Sequence, residues 1–224
     1  MKNKVMDYTV RVFAQKLLGL LCYALGAGWV MSWGAWVYFG VGFGLTALSI
    51  TIVYRVNPVT LAERGKVLTD SPVWDKWLLG VFWVLYFFVI HLVAGLEAKN
   101  APDPAVLFWI GILLIIASAA IATAALAVNT YLESTARIQS ERDQIVITKG
   151  VYGVVRHPTY AAVLVSCVGI ALVFPTPFVA LTAAIIATLT VFRTYLEDNL
   201  LKKNLDGYIE YSRRIKYRLI PFLW

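Results

Sequence analysis

Apolar stretches close to the roughly 20 residues a helix needs to cross a bilayer core recur along this chain, and that recurrence leaves it few folds to adopt. The first runs over about 12–31, where Gln15 and Lys16 interrupt it so that its core begins at Leu17. The second covers about 35–54, the third about 77–96 with His91 inside it, and the fourth about 106–131. A last apolar block, 160–193, carries Pro175 and Pro177 near its middle. Two prolines that close cannot continue one straight helix, so the block reads as a helical hairpin with arms over about 158–174 and 178–201. At 1.5 Å per residue the first arm is about 26 Å long, short for a full crossing. The expected fold is an all-α integral membrane protein of about six transmembrane helices, the last two a Pro-turn hairpin. It forms one polytopic domain over 1–224: residues 1–131 hold four spans, and 132–224 hold a long polar loop, the hairpin and a tail. A composition 60% hydrophobic and 15% charged excludes an ordinary soluble domain.

Charge then orients the bundle. All but Lys99 of the 20 Lys and Arg fall before the first span (Lys16 counted there), in the 55–76 connector, in the 132–157 loop, or at the hairpin's end and tail. The positive-inside rule places these segments and both termini in the cytoplasm. Because the excess of +7 flanks spans rather than forming one basic domain, it does not indicate nucleic acid. The eight Trp and twelve Tyr suit interfacial belts. The first apolar run is long and soon followed by another, which reads as a retained span rather than a cleaved signal. Cys22 and Cys167 lie in apolar runs and read as packed thiols, with no metal set among them. Gly40, Gly42 and Gly44 have no strand before them, so they read as close helix packing through Gly40-x-x-x-Gly44 rather than a nucleotide loop. His91 has no acid near it in sequence and reads as packed or interfacial. Residues 97–105 read as a Pro-containing turn, and 144–148 as a short extended piece.

Chemistry gathers in Lys149-Gly-Val-Tyr-Gly-Val-Val-Arg-His-Pro-Thr-Tyr160. Pro158 suits the first turn of a helix. Arg156 and His157 would then stand at that helix's N-terminal mouth, where free N–H groups and the dipole favour an anion, with Tyr152 and Tyr160 flanking it. Arg193, Glu197 and Asp198 come at the same end of the hairpin from its other arm. The same residues also fit a plainer reading, in which the arginines snorkel at helix ends and the acids pair with Lys202 or Lys203.

The run from Gly150 to Tyr160 resembles the Gly-Pro-Tyr-x-x-x-Arg-His-Pro-x-Tyr signature of the isoprenylcysteine carboxyl methyltransferase family, which is allied with the membrane phospholipid methyltransferases. Arg193-Thr-Tyr-Leu-Glu-Asp198 is similar to the family's Arg-x-x-x-Glu-Glu, and Leu205–Tyr211 with Tyr217–Trp224 to its C-terminal tail. Asn57–Arg64 with Trp74-Asp-Lys76 resembles a segment common in bacterial members. Val151, Asp198, Lys216 and Phe222 depart from the pattern, Asp198 being one methylene shorter than the usual Glu.

The resemblance implies an S-adenosylmethionine-dependent methyltransferase in a bacterial or archaeal plasma membrane, acting on a lipophilic acceptor that enters from the bilayer. It implies catalytic roles for Arg156, Arg193 and Glu197, and a cofactor site formed by Tyr152, Arg156, His157, Pro158, Tyr160, Glu197 and Asp198. Within it, a cation such as Arg156 suits the cofactor's carboxylate, the acids suit its ammonium and ribose hydroxyls, and the tyrosine faces suit the sulfonium. Carboxyl O-methylation of an isoprenylcysteine-like group is the leading reaction, with phospholipid N-methylation or small-thiol S-methylation as the alternative. A nicotinamide-dependent reductase of sterol-like lipids would instead need a basic phosphate cluster, whereas this hairpin mouth carries acids as well. A transporter subunit would need buried mid-span charge or broken helices beyond the Pro175–Pro177 turn.

Overall fold

The computed structural model describes residues 2–66, 70–99 and 106–224. Among these the chain is helical and contains no strand. The helices are α1 (Lys2–Gly26), α2 (Trp33–Val56), α3 (Pro58–Arg64), α4 (Val73–Leu96), α5 (Val106–Val128), α6 (Pro158–Val173), α7 (Pro177–Asn204) and α8 (Tyr208–Arg214). Five of them, α1, α2, α4, α5 and α7, are long and apolar enough to cross a membrane. The protein is a multi-pass integral membrane protein. With 16 residues, α6 is about 24 Å long and makes the short arm of the expected hairpin.

Several boundaries depart from the sequence reading. The first span begins at Lys2, because Arg11, Gln15 and Lys16 are all good helix formers and do not interrupt the turn. Lys16 therefore lies inside α1, not in its flank. The 55–76 connector holds α3, started by Pro58 at its first turn. A π turn over Leu85–Val89 divides α4. Residues 144–148 have no ladder partner and are irregular. Of the 97–105 turn, Glu97–Lys99 are seen as turn, and 100–105 lie outside the described residues.

The spans form a ring in the order α1, α2, α5, α6, α7, α4, with α4 closing back on α1; the thinnest seam lies between α1 and α2. Small residues set the tight contacts. A Cβ on Gly95 would meet Tyr23 O at 2.1 Å, joining α4 to α1, and Gly111 and Gly169 oppose each other between α5 and α6. The expected packing through Gly40 and Gly44 is corrected: a Cβ at either would meet nothing within 4 Å. At one end of the bundle Glu97 accepts hydrogen bonds from the Thr176 hydroxyl (2.5 Å) and the Val179 N–H (3.2 Å), levelling α4 with the hairpin turn. The other end carries the 132–157 loop, α8 and the tail. Leu17, Leu18, Leu21 and Leu25 on α1, and Leu107, Ile110 and Leu113 on α5, are exposed as a lipid-facing surface.

Candidate active site

Asp198 organises the loop-bearing end. It is fully buried near the end of α7. Arg156 grips it with two N–H donors (2.8 and 3.1 Å), Tyr208 donates at 3.0 Å, Arg218 at 3.0 Å, and Lys202 pairs at 2.8 Å. Three segments distant in sequence thus converge on one carboxylate, which offers only about four lone-pair sites. Arg156 also donates to Ile215 O (2.6 Å) and Lys216 O (2.9 Å), so four of its five N–H groups are engaged. The backbone repeats the fastening: Arg156 N–H bonds Tyr217 O and His157 N–H bonds Arg218 O. Burial works against the Arg156 charge, but the Asp198 hydrogen bonds outweigh it and raise its pKa. Burial, with the Asp198 charge added, pushes the Tyr208 hydroxyl up as well.

Asp198 does not line the cavity described below, and its oxygens are fully engaged. Of the residues expected at a cofactor, Asp198 is thus placed inside the wall, where it fastens Arg156, Tyr208, Arg218 and Lys202. The shorter Asp in place of the family's Glu fits a group held inside the wall.

Around this anchor the remaining expected residues take separate places. His157 is buried; its Nε2 lies 3.4 Å from Asp198 Oδ1 and 3.3 Å from the Tyr208 hydroxyl, while Nδ1 faces Glu197 at 4.0 Å. Its ring stacks on Tyr160 at 5.8 Å. Tyr160 donates to Glu197 Oε2. Arg193 lies over the Tyr160 ring at 5.3 Å and is tied down by Asp75 (2.8 Å) and Ser134 O (2.7 Å). Pro158 opens α6. Tyr152 is buried, with its hydroxyl accepting from Asn129 (2.9 Å) and its carbonyl from the Tyr211 hydroxyl (2.8 Å). Burial raises the Tyr152 pKa against that Asn129 bond, so the hydroxyl stays neutral.

A cavity of about 470 Å³ opens beside this network and runs between the helices. Tyr152, Arg156, His157, Pro158, Tyr160, Arg193 and Glu197 line its loop-bearing end, while Tyr38, Tyr86, His91 and Lys16 line its deeper part. Its volume falls in the range typical of small-molecule sites. Two acids line it, and Glu133 is held by two N–H groups of Arg137 (2.8 and 3.0 Å). Glu197, whose side chain is 22% exposed, is the one not held by an arginine.

Residues outside the expected set also matter. Fully buried Asp75 holds Arg193 and accepts from Ala136 N–H at 2.9 Å. An acid in the first turn of an apolar span is costly unless paired, and that was the signal available in the sequence. Arg64 lines the cavity with no carboxylate partner among the described residues, and its Nε is buried without a hydrogen bond, as is Thr135 Oγ1. Both residues line the cavity, and each keeps one buried donor without a partner.

Against known proteins, residues 105–206 match the phospholipid methyltransferase family. Over that stretch the chain is similar to the family, and the protein is a membrane methyltransferase that uses S-adenosylmethionine. No curated protein matches the chain.

Proposed function

We propose that the acceptor is a phospholipid with an amine in its headgroup, which the protein methylates on nitrogen at the loop-bearing end of the cavity. The observation that carries this reading is Glu197: a cavity-lining carboxylate free of any arginine, at the mouth of a passage that continues into the apolar bundle. A carboxylate or thiolate acceptor would be repelled by it, whereas an ammonium headgroup would be drawn to it. This reverses the preference for carboxyl O-methylation drawn from the signature, and the match to phospholipid methyltransferases supports the reversal.

The cofactor supplies an electrophilic methyl group on a sulfonium. Arg64 Nε and Thr135 Oγ1, the two unsatisfied donors, suit its carboxylate better than Arg156, most of whose N–H groups are engaged elsewhere. The chain's part in the reaction is alignment, exclusion of water and removal of one proton. Glu197 takes the proton the amine must lose before its lone pair can attack. Tyr160 fixes one Glu197 oxygen by donating to it, and Arg193 holds the Tyr160 ring from its other side. The thin seam between α1 and α2 is the lateral entrance for a lipid, and the basic loop-bearing end lies in the cytoplasm.

The test is transfer of labelled methyl to phosphatidylethanolamine, a prenylated cysteine and a small thiol in one detergent. Phosphatidylethanolamine should be methylated, and Glu197→Gln should lower kcat roughly 10²–10⁴-fold. Methylation of the prenylated cysteine alone would return the carboxyl reading to first place.

A further inference from the structure

Lys16 is the feature of the cavity that this reaction leaves without a task. It lies within α1, ten residues before the helix end at Gly26 and so about 15 Å from it. Its ammonium lies 3.6 Å from where a Cβ on Gly42 would stand, which places it inside the bundle against α2. Among the described residues it has no hydrogen-bond or ion-pair partner. A charged group at such depth is costly unless paired, and it marks a functional site by default.

Its surroundings are polar and already arranged. His91 Nδ1 lies 3.0 Å from the carbonyl of Phe87, which can only accept, so Nδ1 carries the proton. In the neutral ring Nε2 then accepts from the Tyr38 hydroxyl at 3.1 Å. The Tyr86 hydroxyl lies 2.8 Å from Ser166 Oγ, which itself donates to Val163 O at 2.8 Å. Each of these groups has a partner inside the protein. In this deeper part Lys16, which lines the cavity beside them, has no such partner among the described residues.

Depth selects the ligand group. Gly26 lies against Leu92–Leu96, and Glu97 binds the start of α7, so these far ends are level. Glu197 lies twenty residues along α7 from Pro177, about 30 Å from that level. Side chains of α7 lean back toward its N-terminus, which leaves about 10–15 Å between the Glu197 carboxylate and Lys16 along the bundle axis. A phospholipid amine at Glu197 would have its phosphate too close by to reach Lys16. The ester carbonyls of the glycerol backbone lie farther down the molecule, and an extended headgroup spans a comparable length.

We propose that Lys16 is a specificity-determining residue that donates to an ester carbonyl oxygen of a glycerolipid acceptor. The inference rests on the phospholipid reading given above, and it adds that the enzyme reads the acyl linkage as well as the headgroup. A lipid with ether-linked chains has only weak acceptors at that place.

The experiment compares diacyl and dialkyl-ether phosphatidylethanolamine of equal chain length in one detergent, with kcat and KM measured for each. The wild-type protein should favour the diester about tenfold or more in kcat/KM, through KM, as expected for one charge-assisted hydrogen bond. Lys16→Met should bring the ratio toward one, and Lys16→Arg should restore part of it. Equal use of the two lipids by the wild type, or a preference that survives Lys16→Met, would overturn the proposal; the wild-type comparison stands whether or not a variant folds. If neither lipid is methylated while another acceptor is, the phospholipid reading itself falls and takes this subsite with it.

Discussion

Asp75 shows what a single buried carboxylate does here. It neutralises Arg193, which positions the Tyr160 ring, which in turn orients Glu197. Removing one partner of a buried pair leaves an uncompensated charge and costs about 3–5 kcal/mol, whereas removing both can be nearly neutral. Asp75→Asn should therefore lower the melting temperature in detergent markedly, and Asp75→Asn with Arg193→Gln should recover much of that loss. A double variant that melts no higher than Asp75→Asn would show that the loss does not come from a stranded Arg193 charge. Activity should stay low in both, because Asp75→Asn takes away the anchor of Arg193 and the double variant removes the cation over Tyr160 altogether. The sequence brought Arg156, His157, Glu197 and Asp198 to one place through the hairpin and its signature. It did not assign their partners. Asp75 to Arg193 and Tyr208 to Asp198 are contacts between helices, and no periodicity within one helix reports them.

At the scale of the element, glycine placement was the misleading signal. The Gly40-x-x-x-Gly44 spacing looks like a packing face, yet α2 turns that face to open space. The contacts that do need glycine are isolated ones, such as Gly95 against Tyr23. Gly95→Leu should consequently prevent α4 from closing on α1 and abolish recovery of folded protein, while Gly40→Leu should be tolerated. Size-exclusion profiles of the two variants check this directly. The spans themselves were legible, since an apolar run of sufficient length has few alternatives in a bilayer. Their starts were not, because a helix with a few charged residues in its first turns looks like a polar flank.

For the whole molecule, the basic residues set the expected sidedness. Reporter fusions after Lys99 and after Trp224 should lie on opposite sides of the membrane, and matching sidedness would contradict a hairpin whose two arms both cross. The ring also has a history in time. Arg156 and His157 bond their backbone N–H groups to the carbonyls of Tyr217 and Arg218, about 60 residues later in the chain. At roughly 5–20 residues per second a ribosome needs about 3–12 seconds to supply those carbonyls. During that interval α6 and α7 themselves emerge, while the mouth of α6 still lacks its partners. In lipid two unpaired N–H groups would be a heavy penalty, but at the membrane surface water can serve in the meantime. A half-made protein can therefore wait in the bilayer, with its cofactor end still unassembled, until the tail arrives to close it.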